Sequence, residues 1–291
     1  MNFPIHAQKN TFKVMAWNIL HGGNDIENGP EKVAKIIKEI NPDIILMVET
    51  YGSGPFIADY LNCNFHLVAS KNTSLNDPSV NLSIFSKFPF GKRIDTEYPF
   101  YLGGIEIPIN GKIIRFFSNW FHYLPWNNEP EKMGKSVEEL LEWEKTESRH
   151  EMIQKVLPYL KKFANETDSI PMIFGGDMNS LSHLDWTNKT KTIHNNLVVP
   201  WNATEILADL GLIDSYRKEN PNPITHPGVT WDKKERKDSH RIDYIFYKGK
   251  SIKSIKSNSY NAYFNESIII NDKQIPYPSD HGIVVTTFEF R

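Results

Sequence analysis

Short apolar runs alternate with polar loops along the whole chain, and this pattern predicts a mixture of strands and helices. Apolar residues alternate over residues 12–17 and run almost unbroken over residues 44–48, which predicts two strands, the second buried on both faces. Between them, Val33, Ile36 and Ile40 recur at helical spacing. The first fifty residues therefore predict a strand, a helix and a second strand.

The same pattern continues to the end of the chain. Further strands are predicted at residues 65–69, 82–86, 105–109, 113–119, 171–174, 242–247 and 283–290. Asn110-Gly111 predicts a hairpin between two of them. Helices are predicted at residues 136–163, with a perturbation near Pro158, and at 201–210.

No internal repeat or long linker divides these elements. We therefore expect one α/β domain over residues 11–291, preceded by an extension at residues 1–10, with mixed sheets covered by helices. The 291 residues, 40% of them hydrophobic and 23% charged, suffice for a full core. The single cysteine, Cys63, excludes an internal disulfide framework and a thiolate zinc site.

Charge and hydropathy narrow the range of partners. The net charge of -2, from 33 basic and 35 acidic residues, does not support nucleic-acid binding, although a local basic patch stays open. No apolar run reaches about 18 residues, so we expect no transmembrane segment, and a soluble monomer. The first ten residues lack the features of a secretory signal, which leaves open both a cytoplasmic location and export after signal removal.

Polar residues suited to bind a metal or a phosphate stand at the ends of four predicted strands. They are Asn18, Glu49, the pair Asp177 and Asn179, and the pair Asp280 and His281. Carboxylate and amide oxygens suit hard cations such as Mg²⁺, and strand ends of a layered α/β protein meet at one rim. Taken alone, Asn18 is also typical of a turn and Glu49 of a solvated edge, so it is the coincidence that predicts a shared site.

With these residues in this order, the chain resembles the endonuclease/exonuclease/phosphatase superfamily. That superfamily includes pancreatic deoxyribonuclease, apurinic endonucleases, inositol polyphosphate 5-phosphatases and neutral sphingomyelinases. The resemblance runs nearly end to end, through Trp17-Asn18-Ile19, Val48-Glu49-Thr50, Asn119 to Leu124, Gly176-Asp177-Met178-Asn179, Arg241-Ile242-Asp243-Tyr244 and Ser279-Asp280-His281. It implies a four-layer sandwich of two mixed β-sheets flanked by helices, the deoxyribonuclease-I-like fold.

The resemblance also implies a metal site and a base. Glu49 would ligate an essential divalent metal, Mg²⁺ or alternatively Mn²⁺, with Asn18 and Asp280 beside it. Asp177 would orient and deprotonate the attacking water. Asn179 would hold that water or a phosphoryl oxygen.

Three further residues would act on the phosphoryl group. By the same resemblance, His281 would donate to it and Asp243 would fix the His281 ring. His122 matches a second histidine of the deoxyribonuclease-like and sphingomyelinase-like branches, which implies phosphate binding or protonation of the leaving group.

Four additional candidates each have a structural alternative of similar or greater weight. His21 is either a neighbour of the site or a turn residue, and His183 and Asp185 either add a metal or substrate contact or stabilise their own loop. Arg149 either grips phosphate from the charged helix or lies on a solvated helix face, which is the favoured alternative.

Aromatic and basic residues of the loops provide further candidate contacts. Trp120, Trp126, Trp186 and Trp231 are predicted in rim loops, where they would either stack on a substrate or, more ordinarily, pack. The basic run at residues 233–237 is predicted as a solvated loop.

The resulting hypothesis is a metal-dependent hydrolase whose partner is a phosphate-ester substrate. A phosphodiesterase, nuclease-like or sphingomyelinase-like, is favoured. Two alternatives stay open: a phosphomonoesterase acting on sugar or inositol phosphates, and a non-catalytic binding module on the same fold.

Overall fold

The structure is a computed structural model, and it describes residues 10–231, 240–260, 268–270 and 273–291. The helices are α1 Gly29–Ile40, α2 Gly54–Leu61, α3 Val137–Glu144, α4 Ser148–Asn165, α5 Asn202–Asp209 and α6 Ser215–Glu219. The strands are β1 Thr11–Asn18, β2 Ile44–Val48, β3 Asn64–Leu67, β4 Ser83–Ser86, β5 Arg93–Ile94, β6 Leu102–Ile109, β7 Lys112–Trp120, β8 Met172–Asp177, β9 Ile213–Asp214, β10 Asp243–Lys248, β11 Ile252–Ser259, β12 Ile268–Ile270, β13 Lys273–Ile275 and β14 Val284–Phe290.

Twelve of these strands form two mixed sheets of six. The first sheet has the order β11-β14-β1-β2-β4-β3, and the second has the order β5-β6-β7-β8-β10-β9. Each sheet contains one parallel pair, β1 with β2 and β7 with β8, among antiparallel neighbours. Strands β12 and β13 form a separate two-stranded hairpin.

The alternation along β1 explains how the first sheet is covered on both faces. Phe12, Val14 and Ala16 face the second sheet and contribute to the core between the sheets. Met15 and Trp17 point the other way and pack on α1 and α2. Because successive side chains of a strand point to opposite faces, one buried strand serves two cores.

The second sheet is covered in the same way by α4 and α5. Val156 and Leu160 of α4 and Leu207 of α5 pack on its outer face against Phe117 and Phe174. The layers are therefore helices, sheet, sheet, helices, and the four-layer sandwich implied by the resemblance is confirmed.

Strand direction brings the polar strand ends to one rim. The parallel strands β1 and β2 end side by side, with Asn18 opposite Val48, the residue before Glu49. In the second sheet, Asp177 at the end of β8 pairs with Asp243 at the start of the antiparallel β10. The polar strand ends therefore meet at one rim, as the sequence predicts.

Two predictions about local structure are wrong. Residues 136–163 form two helices, and the break falls at residues 145–147, whereas Pro158 lies inside α4. Glu144, the last residue of α3, is buried, and its carboxylate accepts hydrogen bonds from the Ser180 hydroxyl and from the Asn202 main chain. Trp120 ends strand β7 instead of lying in a loop.

Three further sequence predictions concern a hairpin, a basic run and membrane-spanning segments. The Asn110-Gly111 turn joins β6 to β7 as an antiparallel hairpin. The basic run at residues 233–237 lies outside the described residues. None of the described helices combines the length and the apolar character that crossing a bilayer requires.

Candidate active site

The side-chain amide of Asn18 lies at the centre of the candidate site. Its Nδ2 atom is 3.0 Å from Glu49 Oε1, 3.1 Å from Asp177 Oδ2 and 3.4 Å from His281 Nε2. The Oδ1 atom accepts a hydrogen bond from the Leu20 main chain at 3.0 Å, which fixes the amide orientation. In this orientation the amide nitrogen donates hydrogen bonds toward the site, and the role of Asn18 at the metal stays a prediction.

Glu49 presents its carboxylate from an unusual backbone conformation. Its φ is 58°, in the left-handed region that residues other than glycine rarely adopt. Oε1 accepts from Asn18, and Oε2 accepts from the main-chain N–H of His21 at 2.9 Å. The carboxylate is thus aimed at the rim by contacts on both of its oxygens.

Asp177 is buried and held by three donors. Oδ1 accepts from the Asn179 main chain at 2.8 Å, and Oδ2 accepts from the amides of Asn179 and Asn18 at 2.9 and 3.1 Å. Burial raises the pKa of Asp177 well above its ordinary value, and the nearby Asp243 carboxylate adds to the increase. A buried carboxylate with a raised pKa can take up a proton near neutral pH.

Asn179 shares the left-handed conformation of Glu49, with φ of 47°. Its Nδ2 atom donates to Asp177 and also to the Phe121 carbonyl at 2.9 Å. Its own carbonyl accepts a short hydrogen bond from the Arg149 guanidinium. These contacts fix Asn179 against the strand that leads to His122.

His281 and Asp243 form a buried acid-histidine pair. His281 Nδ1 lies 2.9 Å from Asp243 Oδ2, and His281 Nε2 lies 3.9 Å from Asp177 Oδ2. Burial lowers the pKa of His281, but the carboxylates of Asp243 and Asp177 more than offset it, so the net pKa is raised. The ring is therefore cationic at neutral pH.

Asp280 stands beside this pair and is partly exposed. Its Oδ2 atom accepts from Trp231 Nε1 at 3.2 Å, while its buried Oδ1 atom has no hydrogen-bond partner among the described residues. The pKa of His21 is raised mainly by its hydrogen bond to Asp25, and also by the carboxylates of Glu49 and Asp280.

The donor set fits a divalent cation. Carboxylate oxygens of Glu49 and Asp280 are hard ligands, and the Oδ1 atom of Asp280, which accepts no hydrogen bond among the described residues, lies 3.9 Å from His281 Nε2. Among the described residues, donor atoms of Asp177, Asp243 and His281 also lie within 4.8 Å of one another. This buried cluster fits metal binding, and the assignment of Glu49 and Asp280 as the ligands stays a prediction.

His122 lies beside the site, because it follows strand β7, which pairs with the strand that contains Asp177. Trp120 pairs with Asp177, so His122 lies two residues beyond the rim. His122 Nδ1 lies 2.6 Å from the Ser148 hydroxyl and accepts from the Leu124 main chain. Burial, followed by the charge of Arg149, lowers the pKa of His122, so the ring is neutral at pH 7, with its proton on Nε2.

The structure decides among the open alternatives for the additional candidates. His21 contributes its main chain to Glu49, whereas its exposed ring pairs with Asp25. His183 Nδ1 lies 2.8 Å from the Thr204 hydroxyl. The carboxylate of Asp185 is shared by two buried arginines, Arg217 and Arg241, which favours its structural alternative.

Arg149 is buried, contrary to the expected solvated helix face, and Trp186 packs, which is the more ordinary of its two predicted roles. Arg149 is 3% exposed and binds the Asn179 carbonyl, so it does not lie on a solvated helix face. Trp186 is 2% exposed and packs on Trp201 in a small core under α3.

Two buried residues that position the site are not predicted from the sequence. Asn81 donates to the Phe100 carbonyl and accepts from the Glu49 main chain. The Thr230 hydroxyl accepts from the main chain of both Ile242 and Asp243. The only local signal is a polar residue within a short apolar stretch, which is common in strands of no functional importance.

The comparisons with known proteins agree with this geometry. A model described as the Endonuclease/Exonuclease/phosphatase family matches residues 15–281. The uncharacterized protein F14F9.5 of Caenorhabditis elegans is 28% identical, over 98% of this chain and 93% of that protein.

Two solved structures share the fold at lower identity. TDP2 of D. rerio, complexed with single strand DNA product, is 15% identical with a TM-score of 0.60, over 96% of this chain and 99% of that chain. The human Nocturnin catalytic domain with bound sulfate anion is 17% identical with a TM-score of 0.59, over 97% of this chain and 95% of that chain. The chain belongs to the endonuclease/exonuclease/phosphatase family and is a metal-dependent hydrolase of phosphate esters.

Proposed function

We propose that the protein hydrolyses phosphodiesters by in-line attack of water in the presence of Mg²⁺. The observation that carries this proposal is the position of the Asn18 amide, within 3.4 Å of Glu49, Asp177 and His281. Phosphoryl transfer from a phosphate ester to water needs a metal ligand, a base and a cationic donor close together. Glu49, Asp177 and His281 are the residues proposed for these roles.

Glu49 and Asp280 would hold the cation. When bound, a divalent cation polarises a phosphoryl oxygen and neutralises charge that develops on it. The two N–H bonds of the Asn18 amide donate to Glu49 and Asp177, so Asn18 would orient the proposed ligand and the proposed base relative to each other. Mn²⁺ has the same preference for oxygen ligands and is expected to substitute for Mg²⁺.

Asp177 is the proposed base. In its ionised form the carboxylate would accept the proton of the attacking water, and its position supports this role, because Oδ2 lies 3.1 Å from Asn18 Nδ2 and 3.9 Å from His281 Nε2. The amide of Asn179 fixes the carboxylate at 2.9 Å and limits the directions from which water can approach.

Two histidines are proposed to act on the phosphoryl group from different sides. His281, cationic because Asp243 and Asp177 face it, would donate from Nε2 to a non-bridging oxygen. His122, neutral with its proton on Nε2, would donate to the leaving oxygen. The site thus supplies a base and two donors without a covalent nucleophile.

Aromatic side chains on two flanks of the site favour a diester over a monoester. On the His122 flank, the Tyr123 ring stacks on His122 at 4.3 Å and is 51% exposed. On the Asp280 flank, Trp231 binds Asp280 and contacts Trp126 edge to face at 5.2 Å. Each flank would bind one ester substituent, and planar groups such as nucleobases suit both.

The test compares bis-para-nitrophenyl phosphate with the mono ester, with Mg²⁺ or Mn²⁺ and after chelation. Faster turnover of the diester that stops on chelation supports the proposal. Faster turnover of the mono ester would instead support a phosphomonoesterase. No turnover of either ester, together with cation binding, would support a non-catalytic module.

A second screen identifies the natural ester group. Short single-stranded DNA and RNA, sphingomyelin vesicles and inositol phosphates are incubated with the protein and Mg²⁺. The two aromatic flanks predict that single-stranded nucleic acid is cleaved faster than sphingomyelin.

A further inference from the structure

Asn81 is a fully buried residue that lies behind Glu49 and outside the candidate site itself. Its Oδ1 atom accepts from the main-chain N–H of Glu49 at 2.9 Å, and its Nδ2 atom donates to the Phe100 carbonyl at 3.0 Å. Because the acceptor and the donor of the amide are both engaged, its orientation is fixed.

The sheet register explains why Glu49 needs this side chain. The pairing of the antiparallel strands β2 and β4 ends with Met47 opposite Ser83. If this register is continued by two residues, Asn81 stands opposite Glu49. There the main-chain pairing shifts, and Thr50 donates to the Asn81 carbonyl at 2.8 Å. The N–H of Glu49 would be left without an acceptor, and the Asn81 side chain supplies one.

The same N–H belongs to the residue with the unfavourable backbone. A left-handed conformation brings the Cβ atom of an L-residue close to its carbonyl oxygen, so it persists only where the surroundings hold it. Asn81 binds the N–H of Glu49, and the Gly22 N–H binds the Glu49 carbonyl at 2.8 Å. The two contacts hold both polar main-chain groups of Glu49.

We infer that Asn81 is a positioning residue of the metal site, which holds Glu49 in the backbone conformation that aims its carboxylate at the cation. This inference rests on the proposed role of Glu49 as a ligand. Without the Asn81 acceptor, the Glu49 backbone can relax toward the extended region, which turns the carboxylate away from Asn18. The consequence is weaker cation binding.

Calorimetric titration of the full chain with Mn²⁺ tests the inference. Loss of a residue that orients a metal ligand typically weakens binding about 10- to 100-fold, and this is the range expected for Asn81→Ala. The matched control is Asn220→Ala, because the Asn220 amide donates to the carbonyls of Tyr216 and Ser257 at 3.1 and 2.9 Å, far along the chain from Glu49. The control is expected to bind Mn²⁺ like the parent.

Activity provides a second readout. In Asn81→Ala, the Mg²⁺ concentration for half-maximal activity is expected to rise by the same factor, with kcat largely restored at saturating Mg²⁺. A purely structural role would lower the folded fraction and leave the half-maximal Mg²⁺ concentration unchanged. If circular dichroism shows that Asn81→Ala is not folded, Asn81→Ser replaces it in both measurements.

Glu49→Gln separates the possible failures. If this variant binds Mn²⁺ more weakly and Asn81→Ala binds like the parent, the inference about Asn81 is overturned and the proposed function stands. If Glu49→Gln binds like the parent, the proposed metal site is itself wrong. If Asn220→Ala weakens binding as much as Asn81→Ala does, the effect is general and the inference is overturned.

Discussion

Replacing Asp243 by asparagine is expected to remove the charge that keeps His281 protonated while leaving the histidine in place. The His281 main chain is held independently of Asp243, since its N–H donates to the Ser279 hydroxyl at 3.0 Å. Its carbonyl accepts from Trp17 Nε1 at 3.2 Å and from the Tyr277 hydroxyl at 2.8 Å. Only the ring loses a partner, the Asp243 Oδ2 atom at 2.9 Å.

The size of the effect follows from this geometry. A positioned proton donor contributes about 10²- to 10⁴-fold to the rate, and one factor of ten corresponds to about 1.4 kcal/mol. Because Asp177 still faces the ring and the main chain stays fixed, we expect a loss of kcat/KM of roughly 10²- to 10³-fold, or about 3–4 kcal/mol. Loss of the Asp243 charge lowers the pKa of His281, so the alkaline limb of the kcat profile moves to lower pH.

The assay is hydrolysis of bis-para-nitrophenyl phosphate at saturating Mg²⁺ over a range of pH. Asp43→Asn is the control, because the Asp43 carboxylate accepts from the main-chain N–H of Lys13 at the opposite end of the parallel strands. Unchanged kcat/KM in Asp243→Asn, or an alkaline limb that does not move, would refute the assigned role of the acid-histidine pair.

Three further substitutions test the remaining assignments. Asp177→Asn is expected to abolish turnover while the circular dichroism spectrum is unchanged, and residual turnover near the parent value would exclude Asp177 as the base. Asp185→Asn breaks ion pairs to the 5% and 2% exposed side chains of Arg217 and Arg241, so thermal unfolding should show a loss of about 3 kcal/mol, near the lower end for buried pairs. The Mn²⁺ affinity of Asp185→Asn should equal that of the parent, and weaker Mn²⁺ binding would support Asp185 as a metal ligand. Arg149→Met removes a charged donor to the Asn179 carbonyl and should cost about 1.5–3 kcal/mol by the same measurement, and an unaltered melting temperature would contradict that anchor.

The amino-acid sequence alone determined which residues stand at the strand ends. A strand is encoded by a short local pattern, so the apolar runs before Glu49 and Asp177 predict the two strands and the polar residues that follow them. The Asn110-Gly111 hairpin is equally local, because the turn geometry depends on the two residues themselves. The order of six short segments then indicated the family.

Only the tertiary structure decided what several of these residues do. The amide oxygen of Asn18 faces Leu20, and its nitrogen faces Glu49, Asp177 and His281, which come from three segments remote in the chain. No local pattern specifies such an orientation.

Tertiary contacts likewise decided the roles of the charged residues outside the six segments. Asp185 and Arg149 are typical of a solvated or ligand-binding surface in sequence, yet both are committed to buried partners far away in the chain. The sequence around Asn81 contains no pattern that indicates its role. A pattern of apolar and polar residues encodes burial and strand ends, whereas the role of a polar side chain depends on partners that only the folded chain brings within hydrogen-bonding distance.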